Sequence, residues 1–218
     1  MTPIENNQRA TTVREIKLNE FGTVHGVTCD NQGNVWFAEG DGDLICVAPG
    51  SGRVIRHFKD MGAQAGTAFD GTHIWQLTPD SIIRIDTESG EIVRTLPAPK
   101  DVHCSGMAFA EGALWIGDFN GKRLIKVDIE SGEIEKRLTT DRFVTGVSWS
   151  DESLWHGAWD KEDSGDASLR RLDPDSGEVL EDIQLPDELK VSGLGQDNEG
   201  RFWCGGGYAG GLQAVRTE

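Results

Sequence analysis

Tyrosine occurs once in this 218-residue chain and proline only seven times. The four cysteines (Cys29, Cys46, Cys104, Cys204) stand far apart, with neither a Cys-x-x-Cys pair nor zinc-ligand spacing. They read as reduced thiols that fill small core sites, not as a disulfide framework. No apolar run is long enough to span a bilayer. The opening MTPIENNQRATTVREI has no basic stretch followed by an apolar one, so a secretory leader is not expected and the cytoplasm is the expected compartment. Positive charge is scarce as well: 21 Lys plus Arg face 37 Asp plus Glu, a net charge of −16. Such a chain repels phosphate backbones and anionic lipid surfaces, which excludes nucleic acid and membranes as expected partners.

Glycine and tryptophan are what the chain has in excess. The 28 glycines are close to twice the usual frequency, without a collagen period. A glycine before a short apolar strand recurs as His25-Gly26-Val27, Ala65-Gly66-Thr67, Ser105-Gly106-Met107, Thr145-Gly146-Val147 and Ser192-Gly193-Leu194, spaced by 40, 40, 40 and 47 residues. Nine or ten residues after each glycine stands Trp36, Trp75, Trp115, Trp155 or Trp203, five of the seven tryptophans. A third marker follows as Ala48-Pro49-Gly50-Ser51-Gly52, Asp86–Gly90, Asp128–Gly132 and Asp173–Gly177, turn chemistry for a hairpin that needs positive φ. The fourth unit's extra residues fall in a polar loop, Asp160–Asp166.

Each unit therefore reads as four short antiparallel strands; in the first they are His25–Cys29, Val35–Glu39, Leu44–Val47 and Arg53–Phe58. Four-stranded repeats of about 40–45 residues are the signature of β-propeller blades. The expected fold is all-β, one five-bladed propeller domain over 1–218 with a flexible tail over 1–10. The fifth unit runs out of chain, so the N-terminal strand Thr12–Leu18 is expected to complete it in a 3+1 closure that removes an open edge. The tryptophans are expected to pack between blades.

In a propeller the loops joining strand four to one and strand two to three share a face. That face gathers His25, Gln64, His103 with Cys104, Arg142 and Lys190 before the glycines, and Glu39, Thr78, Asp118, Ala158 and Gly206 after the tryptophans, with Trp159 and Tyr208 just beyond. The opposite face carries near-identical turns, which argues scaffold. His25 stands where the repeat otherwise has Ala65, Ser105, Thr145 and Ser192, so it is a candidate base, or else a histidine that plugs the channel. His103 is the alternative base. Glu39 and Asp118 share one slot and could form an acid–base pair or hold a divalent cation, Mg²⁺ or Ca²⁺; acidic turn residues are equally common in a chain of this charge. Arg142 and Lys190 are candidate anion-binding groups, and Trp159 and Tyr208 packing surfaces for a small-molecule substrate. Gln64, Gln76 and His156 complete the candidate substrate-binding set, Gln76 and His156 being polar where other blades have Phe37, Ile116 and Cys204. A buried, hydrogen-bonded histidine is the plainer reading of His156. Cys104 and Cys204 have no adjacent base to activate a thiol.

The run from His25-Gly26-Val27 to Gly33-Asn34-Val35-Trp36-Phe37-Ala38-Glu39 resembles blades of the virginiamycin B lyase family. Ala65–Gly71, Arg142–Val147, Leu154–Trp159 and Phe202–Gly207 are more similar to small bacterial propellers described as glutamine cyclotransferase-like. The likeness covers nearly the whole chain and implies a five-bladed propeller. The lyase resemblance implies elimination by His and Glu residues with Mg²⁺, onto which His25 and Glu39 map. The Phe-Thr-Gln-Gly-Leu opening and Glu-Ser-Thr-Gly motif of true glutaminyl cyclases do not stand here. These readings converge on a lyase or intramolecular transferase using acid–base chemistry, metal-assisted or not, at one mouth of the channel. A non-catalytic ligand- or protein-binding propeller and a metal-dependent lactonase or hydrolase are the alternatives.

Overall fold

The computed structural model describes residues 8–18, 20–161, 166–206 and 211–217. Every secondary-structure element in them is a strand, and no helix is long and apolar enough to cross a membrane. Blade one is β2 (Val24–Cys29), β3 (Val35–Glu39), β4 (Gly42–Val47) and β5 (Val54–Ala63). Blade two is β6 (Thr67–Phe69), β7 (His73–Leu77), β8 (Ser81–Asp86) and β9 (Ile92–Pro97). Blade three is β10 (Cys104–Ala110), β11 (Ala113–Asp118), β12 (Arg123–Asp128) and β13 (Ile134–Thr139). Blade four is β14 (Phe143–Ser150), β15 (Ser153–Trp159), β16 (Ala167–Leu172) and β17 (Val179–Gln184). In the fifth sheet β18 (Gly193–Gln196), β19 (Phe202–Gly205) and β20 (Leu212–Thr217) run outward, and β1 (Ala10–Ile16) pairs antiparallel along β20 as the outermost strand. Residues 1–7 of the expected tail lie outside the described residues. Its last part is held: Gln184 N–H donates to Gln8 O at 3.0 Å, and Arg9 bridges to Gln184.

At the axis the five repeat glycines bring backbone against backbone. A Cβ on Gly26 would lie 2.1 Å from Ala65 O of blade two, and one on Gly193 would lie 1.7 Å from His25 O of blade one. Gly66, Gly106 and Gly146 abut their next blades in the same way, so the contact runs around the ring. In β2, β10 and β14 the register slips across the glycine, giving a bulge in which two residues oppose one. The bulge turns the residue before the glycine toward the axis.

Outside this ring each repeat tryptophan packs into the next blade. Trp36 lies with Ile74, Ile83 and Ile85, Trp75 with Met107 and Leu114, Trp115 with Val144 and Leu154, Trp155 with Phe202, and Trp203 with Phe37 and Ile45. A buried tryptophan removes ~150–250 Å² from water, roughly 4–6 kcal/mol of transfer free energy. The indole Nε1–H of Trp36, Trp75 and Trp203 donates to Asp30, Asp70 and Asp197 at 3.1, 2.9 and 2.8 Å. Those carboxylates also accept backbone N–H groups of their own turns, so the turn and the core fix each other.

At the rim Asp86, Asp128 and Asp173 accept the Ser N–H and Ser Oγ–H three residues on, and the closing glycines have φ of 77°, 75° and 75°. A cation on each of four outer strands then reaches the neighbouring blade's turn: Arg56 to Glu88, Arg94 to Glu130, Lys136 to Pro174 O, and Arg14 of β1 to Pro49 O. These exposed contacts contribute about 0–1 kcal/mol each, less than the burial between blades.

Gly106→Ala should cost more than about 3 kcal/mol in urea unfolding, because its Cβ would lie 2.3 Å from Val147 N with no side chain able to yield. Gly50→Ala, with nothing within 4 Å, should change stability by less than about 1 kcal/mol.

Candidate functional site

The five bulged or strand-leading residues before the glycines, His25, Ala65, Ser105, Thr145 and Ser192, line one axial cavity of about 240 Å³. The connections that lead into the inner strands add Gln64 and His103, the first residue of β10 adds Cys104, the turn after β11 adds Phe119, and the last residue of β15 adds Trp159. His25 is half-buried; loss of water pushes its pKa below the usual 6.5, and the Glu39 charge pulls it partly back. The neutral imidazole is therefore the main form at pH 7. The backbone N–H of His103 donates to Asp118 Oδ1 at 3.1 Å, and its ring Nδ1 lies 2.7 Å from Asn120 Nδ2. Phe119 stacks at the centre of an aromatic wall, 4.9 Å from Phe143 and edge-on to Trp159 and His103 at 6.0 and 5.7 Å. Cys104 is pushed up to about 11 by burial and the Asp118 charge, which keeps it a thiol.

Of the expected site residues, His25, Gln64, His103 and Trp159 come together here. Glu39 and Asp118 do not line the cavity, and both are engaged as clamps. Glu39 Oε1 accepts Gly22 N–H at 2.9 Å and Oε2 accepts Asp41 N–H at 2.8 Å. Asp118 accepts the N–H groups of His103 and Gly121 at 3.1 Å each, and Arg123 Nε–H at 2.7 Å. The shared slot thus ties the connection entering a blade to the turn after its second strand. These carboxylates do not fit as divalent-cation ligands, and no group of three or more His, Cys, Asp or Glu among the described residues could hold a metal ion.

Four further candidates are placed elsewhere. Gln76 is fully buried; its amide takes Thr67 Oγ1–H at 2.7 Å and donates to Ala65 O and Leu77 O at 3.1 and 2.9 Å, bracing the start of β6. His156 is fully buried on β15, opposite Arg170 of β16, and its pKa falls to about 4 through burial. Arg142 pairs with Asp160, and the exposed Lys190 does not line the cavity, so neither supplies an anion site there. Tyr208 lies outside the described residues, as do residues 162–165 of the fourth-blade loop. Phe119 was missed among the expected site residues, although it follows Trp115 at the same interval at which Trp159 follows Trp155.

No family model matches the chain, and no curated protein matches it. Among solved structures it is similar to the glutaminyl cyclase of Myxococcus xanthus, with a TM-score of 0.78, 18% identity and 97% of each chain covered. It is also similar to the WD40 repeats of RRP9, with a TM-score of 0.55, 10% identity, 96% of this chain and 98% of that one. At these identities the likeness establishes the propeller fold. The cyclase fits the group of propellers that the blade motifs resemble.

Asp118→Ala should lower stability by about 2–4 kcal/mol, since it strands buried backbone donors and an arginine. His156 gives a pH signature. The unfolded chain binds its proton near 6.5 and the folded one near 4, so its contribution is intact above 6.5 and declines as pH falls toward 4, by about 3 kcal/mol. His156→Ile, which installs the residue type of blade three, should flatten that slope in thermal melts between these pH values.

Proposed function

We propose that the chain is a small-molecule-transforming enzyme using acid–base chemistry in the axial cavity, as a cyclotransferase-like intramolecular transferase or a lyase. The observation that carries this reading is the pairing of His25 and His103 in one cavity walled by Phe119 and Trp159. A half-buried histidine that is neutral at pH 7 is a ready proton acceptor. In a transferase it takes the proton of the attacking nitrogen; in a lyase it takes a proton from the carbon beside a carbonyl. Asn120 orients the His103 ring, whose other nitrogen hands a proton to the leaving group. Likeness of fold to a glutaminyl cyclase favours the transferase. Glu39 acts through its field on His25 and not as a ligand. A metal-dependent lactonase or hydrolase has no donor set to support it among the described residues, and no step here is routed through a metal.

The first assay is ammonia release from a peptide with N-terminal glutamine, followed by ester and lactone eliminations. With the substrate that turns over, kcat/KM should rise with pH to a plateau through a midpoint below 6.5. His25→Gln should lower kcat/KM at least about 100-fold and remove that limb. Wild-type kinetics in His25→Gln would place the chemistry elsewhere, and saturable binding without turnover would make the chain a ligand-binding propeller.

A further inference from the structure

Four of the five repeat tryptophans carry a cation on their ring. Arg84, Lys126 and Arg171 stand directly opposite Trp75, Trp115 and Trp155 on the neighbouring strand and lie 5.5, 5.9 and 6.0 Å from the ring centroids. In blade five the opposite residue is Ala214, and Arg201 covers Trp203 from 6.0 Å instead. In blade one the residue opposite Trp36 is Cys46, which has no charge and reaches only a short way from the strand. Phe58, in the slot of Leu96 and Leu138, leans on the Trp36 ring at 6.0 Å and brings no charge either. On this side of Trp36 and Cys46 a pocket of about 290 Å³ opens between blades one and two, with Asp30, Phe69, Thr72 and Glu88 in its walls. None of its lining residues borders the axial cavity.

The carboxylate beside the ring shows the same difference. Asp70 Oδ2 takes Trp75 Nε1–H at 2.9 Å and Arg84 Nε–H at 2.8 Å, and Asp197 Oδ2 takes Trp203 Nε1–H and Arg201 Nε–H, both at 2.8 Å. Asp30 is half-buried and has only neutral partners. Its Oδ2 takes Trp36 Nε1–H at 3.1 Å and the side-chain amide of Asn34 at 3.0 Å, and its Oδ1 takes the backbone N–H groups of Gln32 and Asn34. Arg56 lines the pocket, but Glu88 holds it at the lip at 2.5 Å. Asn34 Nδ2 also lies 3.4 Å from Gln32 Oε1, an acceptor to which it can turn when Asp30 takes a stronger donor. A carboxylate beside an aromatic ring suits a guanidinium, whose fork of N–H donors meets the oxygens while its plane packs on apolar and π surfaces.

We propose that the pocket between blades one and two binds a guanidinium group, carried by a small molecule or by an arginine side chain, against Asp30. The ligand stands in blade one as Arg84 and Arg201 stand in theirs, donating to Asp30 Oδ2 and lying over Cys46 beside the Trp36 ring. Its charge meets the one that blade one leaves without a cation. A primary ammonium carries the charge without the fork and binds more weakly, and a urea carries the fork without the charge. The site is separate from the axial cavity, so it stands or falls independently of the acid–base reading.

The test titrates n-propylguanidinium, n-propylammonium and n-propylurea into the full chain at low salt and follows the backbone amide resonances. n-Propylguanidinium should shift the Asn34, Cys46 and Thr72 resonances saturably and leave those of Ser105 and Thr145 at the axis in place. It should bind at least about tenfold more tightly than the urea, with the ammonium between them. Asp30→Asn, which keeps an oxygen for the N–H groups of its turn, should weaken binding about tenfold. Cys46→Met, which fills the pocket without charge, and Cys46→Arg, whose own guanidinium takes the ligand's place, should each abolish the shifts. Equal affinity for the guanidinium and the urea, shifts that miss the pocket, or undiminished binding in any of the three variants that folds would each overturn the proposal. Free L-arginine and N-acetylarginine N-methylamide then separate the two sources. Tighter binding of the amide points to an arginine side chain of a partner, and tighter binding of the amino acid to a small molecule.

Discussion

The contact on which the molecule depends is backbone against backbone at the propeller axis. Where Gly26, Gly66, Gly106, Gly146 and Gly193 meet the next blade there is no room for a Cβ, and the blades approach until peptide groups touch. Gly66 N–H donates across this boundary to Ser105 O at 2.7 Å, and Ser105 and Ser192 add hydroxyl bridges. Outside this contact each repeat tryptophan is buried among the apolar residues of the same neighbouring sheet. In three of the inner strands a bulge adjoins the glycine as well. The bulged residues and their counterparts leading into β6 and β18 border the axial cavity. Scaffold and cavity therefore meet at the same five positions.

Acidic residues carry much of the rest. Asp30, Asp70 and Asp197 join turn to tryptophan, Asp86, Asp128 and Asp173 shape the rim turns, and Glu39 and Asp118 join the entering connection to the second turn. In each case a short carboxylate collects backbone N–H groups that a loop would otherwise leave unpaired. The burial of Asp70 and Asp197 opposes their charge, and their hydrogen bonds more than offset it, holding both below the usual carboxylate range. Part of the chain's net negative charge is in this way internal structure. Blades three and four depart from the pattern: Ala110 and Ser150 stand where Asp30, Asp70 and Asp197 stand elsewhere, and Trp115 and Trp155 keep unpaired indole nitrogens.

Most of the fold was legible in the sequence because its signals are local. Alternation over five or six residues, a Ser-Gly turn with Asp three residues before the serine in blades two to four, and a glycine–tryptophan interval that returns after 40 to 47 residues all act within one blade. Even the missed Phe119 obeys this rule, as the repeat-mate of Trp159. The site was legible only as a face. His25 and Glu39 both belong to that face, yet one borders the cavity and the other turns its two oxygens to Gly22 and Asp41. Gln76 and His156 are polar deviations of the same slot; one is a fully bonded brace and the other a desolvated imidazole between blades.

The sequence by itself determined the repeat, the turns, the tryptophan packing positions and the face on which the blades differ. These depend on backbone conformation and side-chain period over a few residues. Only the tertiary structure decided which polar groups are spent on the fold and which border the axial cavity. That division depends on donors seventeen residues away, as between Gly22 and Glu39, or in the next blade, as between Ser105 and Val144. It also depends on a one-residue bulge that redirects side chains toward the axis. A hydrogen bond is settled within a few tenths of an ångström, and no spacing along the chain carries that distance.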